Sequence, residues 1–193
     1  MNINGIILAG GYSSRMGQNK SLLKIGNRTI IEIIAEKMKP IFPEVLIITN
    51  NPDEYEFLKL EIHEDIYPHM GPLSGIHSGL VNSKAQSNFF VSCDSPCFTR
   101  ESINFMIAKY TGAAAMAARG KDRSHYLFGI YSKECIPVLE SSLKNNELRV
   151  SNFFDKMNGI EIPIEECESY SGNQFLNINT LEDYEKLREV LRS

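Results

Sequence analysis

Short apolar runs of strand length alternate with helical patterns along this chain, and the alternation limits the possible folds more than any other feature. The clearest runs cover residues 5–9, 45–49, 88–93 and 113–118. Runs of this kind are typical of strands buried on both faces of a parallel sheet. Between the first two runs, Thr29–Met38 has helical spacing and is followed by Pro40, which ends the helix. The alternation predicts a doubly wound, Rossmann-like α/β fold with a mostly parallel twisted sheet flanked by helices.

Further elements complete this prediction. Helices are predicted over 73–81, 101–110, 135–144, 150–156 and 180–191, and strands over 126–131 and 160–164. Thr99 and Thr180 are predicted N-caps, the second paired with Asp183, and Pro163 places its strand at a sheet edge. Because no linker or repeat divides the chain, we expect residues 1–193 to form one domain.

Composition excludes several classes of protein. With 193 residues, a net charge of −4 and a hydrophobic fraction of 42%, the chain is neither disordered nor a general nucleic-acid binder. No transmembrane span or secretory signal is expected, which favours a cytoplasmic location without membrane contact. The four cysteines lack metal or redox spacing, and Cys93 is expected to be a buried strand-end residue rather than a nucleophile.

Basic residues are concentrated near the N-terminus, where residues 1–40 hold six of them against two acidic ones. Arg15 and Lys20 are expected to belong to an anion site. Arg28, Lys37 and Lys39 are expected to lie on an ordinary solvated helix face.

A glycine loop follows the first predicted strand, as Leu8-Ala9-Gly10-Gly11. Glycines let the backbone turn tightly and approach a ligand, backbone N–H groups can cradle phosphates, and Arg15 and Lys20 supply the charge that a triphosphate needs. Neither the Walker A pattern nor the Rossmann glycine pattern fits this segment. The sequence therefore predicts a phosphate-binding loop of another kind.

The pattern Leu-Ala-Gly-Gly-x3-Arg-Met-Gly-x2-Lys over residues 8–20 resembles the signature of nucleotidyltransferases with a GT-A-like fold, and more narrowly that of the molybdenum cofactor guanylyltransferases. Other segments of that family have counterparts in order: Asp65 before Gly-Pro-Leu-x-Gly (71–75), Cys-Asp-x-Pro (93–96), His-x-Leu-x-Gly-x-Tyr (125–131) and Asn-x-Asn-Thr-x-Glu-Asp (177–183). Tyr126 and Leu181 stand where the family has proline.

The resemblance implies transfer of GMP from GTP to molybdopterin, with release of pyrophosphate, during molybdenum cofactor biosynthesis. It also implies Mg²⁺, held by Asp94, which follows a strand and supplies the oxygen ligands that this cation takes. Arg15 and Lys20 would steady the triphosphate, and the Asp65 carboxylate would accept hydrogen bonds from guanine. The residues implied for GTP are Leu8, Ala9, Gly10, Lys20, Asn50, Asp65 and Asp94.

Several assignments stay open at this stage. Asn50 either lies near the nucleotide or forms an ordinary turn. Asn177 and Asn179 either line the pterin side or cap the last helix, and His125 either contacts the second substrate or is an idle residue in an exposed loop.

Two alternative functions also stay open. One is a molybdopterin cytidylyltransferase or a sugar-phosphate nucleotidyltransferase, although the cytidylyl relatives usually carry Leu-Ala-Ala-Gly and the sugar enzymes are longer. The other is a catalytically idle nucleotide-binding adaptor, which has no need of Arg15, Lys20 and Asp94 together. The resemblance implies work alongside a molybdenum insertase and molybdoenzyme chaperones, and we expect a monomer or weak oligomer.

Overall fold

The computed structural model describes residues 2–9, 19–178 and 180–191, and strands and helices alternate within them. The strands are β1 (Ile3–Leu8), β2 (Lys24–Ile25), β3 (Arg28–Thr29), β4 (Val45–Ile48), β5 (Glu61–His63), β6 (Ser87–Ser92), β7 (Ala115–Arg119), β8 (Ser124–Ser132) and β9 (Ile160–Pro163). The α-helices are α1 (Ile30–Met38), α2 (Pro72–Asn82), α3 (Arg100–Lys109), α4 (Ile136–Lys144), α5 (Val150–Lys156) and α6 (Leu181–Val190). Short 3₁₀ helices cover Lys20–Leu22, Pro52–Leu58, Lys133–Cys135 and Ile164–Glu166.

One seven-stranded sheet forms the centre of the fold, in the order β5-β4-β1-β6-β8-β7-β9. Neighbouring strands from β5 to β6 are parallel, and so are β7 and β9. β8 runs antiparallel to both of its neighbours. Its pairing with β7 is antiparallel because residues 120–123 alone connect the two strands, and so short a connection makes a hairpin. The predicted mostly parallel sheet is therefore confirmed.

Hydrophobic packing covers both faces of this sheet. Helices α1, α3 and α6 pack on one face, and α2, α4 and α5 pack on the other. In β1, Ile7 belongs to the first cluster, whereas Ile6 and Leu8 belong to the second, as the two-residue period of a strand requires. Burial on both sides explains why the strand sequences are continuous apolar runs.

Most predicted elements are confirmed to within a few residues. α5 has the predicted bounds, Thr99 and Thr180 cap α3 and α6, and Pro163 lies in the edge strand β9. The structure adds β5 and the separate β2–β3 pair, which are short and carry little apolar pattern. No helix in the described ranges is long and apolar enough to cross a membrane.

The strand order reverses at β1, because β4 and β5 extend the sheet on one side of it and the chain then returns to place β6 on the other. In open α/β sheets, ligands bind outside the carboxyl ends of the strands at such a reversal. The fold thus directs attention to the loops that follow β1, β4 and β6.

Candidate functional site

A first cavity, of about 750 Å³, lies where β1 and β4 end and α2 begins. That volume is within the range of about 300–1,000 Å³ that is usual for small-molecule sites. The loops after the parallel strands β4 and β5 supply most of its polar groups. Its lining residues are Leu8, Ile48, Asn50, Asn51, Asp65, His69, Gly71, Pro72, Gly75, Ser92 and Leu127.

The start of α2 fixes the loop that carries Asp65. Gly71, at the N-cap, has φ of 72°, in the left-handed region that favours glycine, and Pro72 follows at the first helical position. The Ser74 hydroxyl donates to the Tyr67 carbonyl oxygen at 2.6 Å, and the Ile66 N–H donates to the Ser78 hydroxyl at 2.8 Å. These bonds fasten the loop to the helix and leave Asp65 against the cavity.

Asp65 and Asn50 form a polar pair in the first cavity. The Asn50 side-chain amide donates to Asp65 Oδ2 at 2.9 Å, so Asn50 does more than form a turn. The other carboxylate oxygen, Oδ1, is buried and has no hydrogen-bond partner among the residues that the structure describes. Burial raises the pKa of Asp65, and the side chains of Asn50 and Ser74 oppose that rise, although the Ser74 hydroxyl donates its hydrogen to Tyr67. The pair therefore offers one buried acceptor to a ligand.

Lys20 begins the 3₁₀ helix that follows the glycine loop. Asn19 caps this helix, and its side-chain amide donates to the Tyr55 hydroxyl oxygen at 2.8 Å. The Tyr55 hydroxyl in turn lies 3.4 Å from the Ala9 carbonyl oxygen at the end of β1. Burial raises the pKa of Cys93, at the end of β6, and the charge of Lys20 acts in the opposite sense.

A second cavity, of about 220 Å³, opens where β8 bulges away from β7 between His125 and Gly129. β8 pairs with Phe90 of β6 and Ala117 of β7 at Gly129, but its next partner on β7, Ala118, faces His125. Residues 126–128 therefore lie outside the β7 ladder and line the cavity. The complete lining is Val91, Ser92, Asp94, Ser95, Phe98, Arg123, Ser124, His125, Tyr126, Leu127, Phe128, Val150, Phe175 and Asn177.

Asp94 meets the segment before α6 in this second cavity. The Ser95 hydroxyl oxygen lies 3.0 Å from Asp94 Oδ1 and 2.5 Å from Asn177 Oδ1. The Ile178 N–H donates to the Asp94 carbonyl oxygen at 3.0 Å. The structure thus brings together Asp94 and Asn177, which lie far apart in sequence.

An aromatic stack closes one side of the second cavity. The rings of His125 and Phe175 are 3.8 Å apart between centroids and 19° from parallel, and Phe128 packs its edge on Phe175 at 5.2 Å. Burial lowers the pKa of His125 to about 4, with a smaller contribution from Arg123, so its imidazole is neutral near pH 7. His125 is half-buried in β8, and the alternative of an exposed loop residue is wrong.

The two cavities form one crevice, because Ser92 and Leu127 line both of them. The predicted residues divide between the halves: Leu8, Asn50 and Asp65 lie in the first cavity, and Asp94, His125 and Asn177 lie in the second. Ala9 is buried at the end of β1. Gly10, Arg15 and Asn179 lie outside the described residues.

The positions of two residues were not predicted from the sequence, and the position of a third was predicted correctly. Phe175 was not predicted to line the crevice, although it lies two residues before the Asn177 motif. Lys37 was expected on a solvated helix face, but it is half-buried and donates to backbone carbonyls of the loop after β6. Cys93 is buried as predicted, and burial raises its pKa to about 12, which argues against a nucleophile.

The donor groups of the crevice fit a hard cation. Among the described residues, no three His, Cys, Asp or Glu side chains lie close enough together to hold a metal by themselves. Asp94 supplies a carboxylate, and the oxygens of Ser95 and Asn177 lie beside it. Mg²⁺ takes oxygen ligands and is usually held by one or two carboxylates together with substrate phosphates, so a single aspartate with neutral oxygens suits it.

The sheet, the strand-end crevice and the glycine loop of the sequence define the class: an α/β protein of the nucleotidyltransferase type. The solved structure of molybdopterin-guanine dinucleotide biosynthesis protein A from Archaeoglobus fulgidus has this fold, with a TM-score of 0.85 and 21% identity over 98% of this chain and 99% of that one. A family model, the MobA-like NTP transferase domain, matches residues 5–157. This chain belongs to the family of MobA-like NTP transferases.

Relatives match over nearly the full length. A protein of Carboxydothermus hydrogenoformans named "Probable molybdenum cofactor guanylyltransferase" is 36% identical, covering 98% of this chain and 96% of its own. A protein of Clostridium perfringens with the same name is 37% identical, covering 94% and 93%. The predictions of the family and of a nucleotidyl-transferring enzyme are therefore confirmed.

Proposed function

We propose that this chain transfers GMP from GTP to molybdopterin and releases pyrophosphate. The family and the names of the two relatives support this assignment. The observation that carries it is the buried, unpartnered oxygen of Asp65 in a cavity large enough for a nucleoside.

Guanine recognition follows from the hydrogen-bonding groups of the base. Guanine presents N–H donors at N1 and N2, and a carboxylate oxygen without a partner is a matching acceptor. Asn50 engages the other oxygen of Asp65 and thereby fixes the carboxylate plane. Cytosine and uracil lack this pair of adjacent donors, so the arrangement favours GTP over CTP and UTP.

The transfer step is an in-line displacement at the α-phosphorus of GTP. An oxygen of the molybdopterin phosphate forms the new bond to phosphorus, and the bond from the α-phosphorus to the bridging oxygen breaks. The electron pair of that bond leaves with pyrophosphate. Because the attacking phosphate is already an anion, the chain needs to position the reactants and neutralise charge rather than supply a strong base.

Charged residues of the crevice supply this neutralisation. Lys20 and Arg15 would hold the triphosphate, and Asp94 would hold Mg²⁺, with the oxygens of Ser95 and Asn177 beside the carboxylate. Mg²⁺, when bound, withdraws negative charge from the phosphate oxygens and orients them. The backbone of Leu8, Ala9 and Gly10 approaches the nucleotide closely.

The second cavity is the proposed position of molybdopterin. Its neutral His125 and the stacked Phe175 present flat apolar surface to a planar pterin, and Asn177 supplies a polar group in the same cavity. Asn179, from the same sequence motif, is proposed as a second polar contact. Because Ser92 and Leu127 connect the two cavities, the two substrates meet near Asp94.

The test compares nucleotides under identical conditions. The chain is mixed with Mg²⁺, molybdopterin and one of GTP, CTP, ATP or UTP, and released pyrophosphate and the dinucleotide product are measured. We expect product with GTP alone. Equal product with CTP would favour a cytidylyltransferase, and product with a sugar 1-phosphate as acceptor would favour the sugar-phosphate alternative. Binding of GTP without any transfer would favour the adaptor.

The setting of the enzyme is also a proposal. We propose one domain that acts in the cytoplasm as a monomer or weak oligomer, alongside a molybdenum-inserting enzyme and molybdoenzyme chaperones, without nucleic acid or membrane. Light scattering coupled to gel filtration tests the oligomeric state, and co-purification from a molybdoenzyme-producing cell tests the partners.

A further inference from the structure

Lys37 on α1 reaches the loop that joins β6 to α3 and carries Asp94 and Ser95. Its ammonium donates to the carbonyl oxygens of Pro96 at 2.7 Å and Phe98 at 2.8 Å. The same ammonium lies 5.2 Å from the centroid of the Phe98 ring, within the range of a cation–π contact. One side chain therefore fixes this loop at two residues, Pro96 and Phe98.

The surroundings of Lys37 are unfavourable for a cation unless these bonds are made. Burial lowers its pKa to about 8, and Arg28 and Arg100 lower it as well, whereas the Cys97 thiol acts in the opposite sense. Glu36, the neighbouring acid on α1, pairs with Arg28. A half-buried ammonium beside two guanidiniums needs hydrogen bonds to offset its lost hydration, and the loop carbonyls supply them.

Other contacts hold the opposite end of the loop. The Ile178 N–H donates to the Asp94 carbonyl oxygen, and the Ser95 hydroxyl contacts Asn177. The loop is thus fixed at Asp94 by the segment before α6 and at Pro96 and Phe98 by Lys37. Two fixed ends on a segment of five residues define the direction of the Asp94 side chain.

We propose that Lys37 is a positioning residue for nucleotidyl transfer, which holds the Asp94 loop so that the carboxylate meets the substrate phosphates. This inference rests on the proposed function. Lys37 is absent from the lining of both cavities, so it acts through the loop and not by touching the substrates.

The test compares two lysines of one segment. Lys37→Met keeps the apolar stem and removes the ammonium. Lys39→Met is the matched control, because Lys39 is exposed and donates to the Leu58 carbonyl oxygen at 3.2 Å, on another segment. We expect Lys37→Met to lower kcat about 10- to 100-fold through misplacement of the reacting groups, with KM for GTP changed less than about threefold and Lys39→Met close to wild type.

Two further measurements separate positioning from folding. Lys37→Arg keeps a charged donor and is expected to recover most of the lost kcat. Hydrogen exchange tests the loop without any activity: the amides of Ile178 and of residues 94, 95, 97 and 98 are expected to exchange faster in Lys37→Met than in Lys39→Met. If Lys37→Met does not fold, Lys37→Gln is expected to show the same loss of kcat.

Two results would overturn the proposal. One is a kcat within twofold of wild type in the folded Lys37→Met or Lys37→Gln variant, whatever its Tm. The other is unchanged exchange of the amides of residues 94, 95, 97 and 98. A wild-type chain that transfers no nucleotide contradicts the proposed function instead, and the exchange experiment still decides whether Lys37 holds the loop.

Discussion

The two halves of the crevice are made from different parts of the sheet and present different chemistry. In the first cavity, Asp65 and Asn50 follow parallel strands, and hydrogen bonds to α2 fix the loop of Asp65. In the second, residues 126–128 leave the β7 ladder, and the His125–Phe175 stack lines the same cavity as Asp94. One half is arranged for hydrogen bonding at the edge of a ligand, and the other for contact with the face of a ring.

This difference between the two cavities indicates how strictly each of them selects its substrate. A site built to hydrogen-bond a substrate rejects analogues strongly, because its buried polar groups are then left unpaired. Stacking against an aromatic ring tolerates many flat partners. We therefore expect strict choice of the nucleotide in the first cavity and a choice based on shape and phosphate position in the second.

The largest effect is expected at Asp94, near which the two substrates would meet. Asp94→Ala should lower kcat about 100- to 1,000-fold, because the charge that accompanies Mg²⁺ is lost. Steady-state pyrophosphate release at saturating GTP and Mg²⁺ measures it. Asp155→Ala, at an exposed position of α5, is the control. Near-normal turnover of Asp94→Ala would contradict the assignment of Asp94 as the Mg²⁺ ligand.

A smaller effect, confined to the first cavity, is expected at Asp65. Asp65→Asn should raise KM for GTP about 5- to 150-fold, equivalent to the 1–3 kcal/mol for leaving buried hydrogen-bonding groups unpaired. KM for molybdopterin should stay within about twofold. Initial rates over a grid of both substrates separate the two constants, and an equal rise in both would contradict the division of the crevice.

The converse effect is expected at Phe175 in the second cavity. Phe175→Leu removes the stacked ring but keeps apolar volume, and should raise KM for molybdopterin about 2- to 10-fold with KM for GTP unchanged. Phe57→Leu, at a side chain that is 49% exposed, is the control. A loss of GTP affinity alone in Phe175→Leu would show that the ring serves the nucleotide instead.

The smallest effect concerns the pH dependence of folding stability, to which His125 and Asp65 in the two halves of the crevice should contribute in opposite directions. The pKa of His125 is lowered to about 4 in the folded chain. As pH falls, His125 therefore binds a proton in the unfolded chain before it does so in the folded chain, and stability falls as pH drops from about 6.5 toward 4. The pKa of Asp65 is raised, so its contribution to stability rises as pH falls.

Urea unfolding at pH 7.5 and pH 4.5 measures these contributions. His125→Phe should lose less stability on acidification than wild type, and Asp65→Asn should lose more. Identical acid sensitivity in all three chains would mean that neither group is desolvated as the structure indicates.

Much of the fold follows from local sequence signals. The bounds of α5, the caps Thr99 and Thr180 and the edge position of Pro163 all depend on residues close in sequence. β5 and the β2–β3 pair were missed because two or three residues carry no measurable periodicity. The exit of β8 from the sheet depends on pairing with β6 and β7, which a single strand sequence does not encode.

The residues of the site likewise divide into those whose position could be predicted from the sequence and those whose position could not. Asn50 and Asp94 follow predicted strands, so their position at the crevice could be predicted from chain order. Asp65 follows β5, which was missed, and only the family resemblance indicated its position. The position of Lys37 could not be predicted, because its role depends on carbonyl groups of a loop about 60 positions away. A lysine on a helix looks the same in sequence whether it faces water or a backbone carbonyl.

The departure of β8 at Gly129 has a consequence for how chains of this fold can diversify. Gly129 is the first residue of β8, in chain order, that pairs with both β6 and β7, and a Cβ there would lie 2.2 Å from the Met116 carbonyl oxygen. Residues 126–128 just before it make no ladder with β7, so an exchange of side chains among them leaves those sheet hydrogen bonds intact. Evolution or a protein engineer can therefore revise the acceptor end of the crevice at Tyr126, which lines the second cavity alone, while Leu127, which lines both cavities, is kept and the nucleotide end stays unchanged.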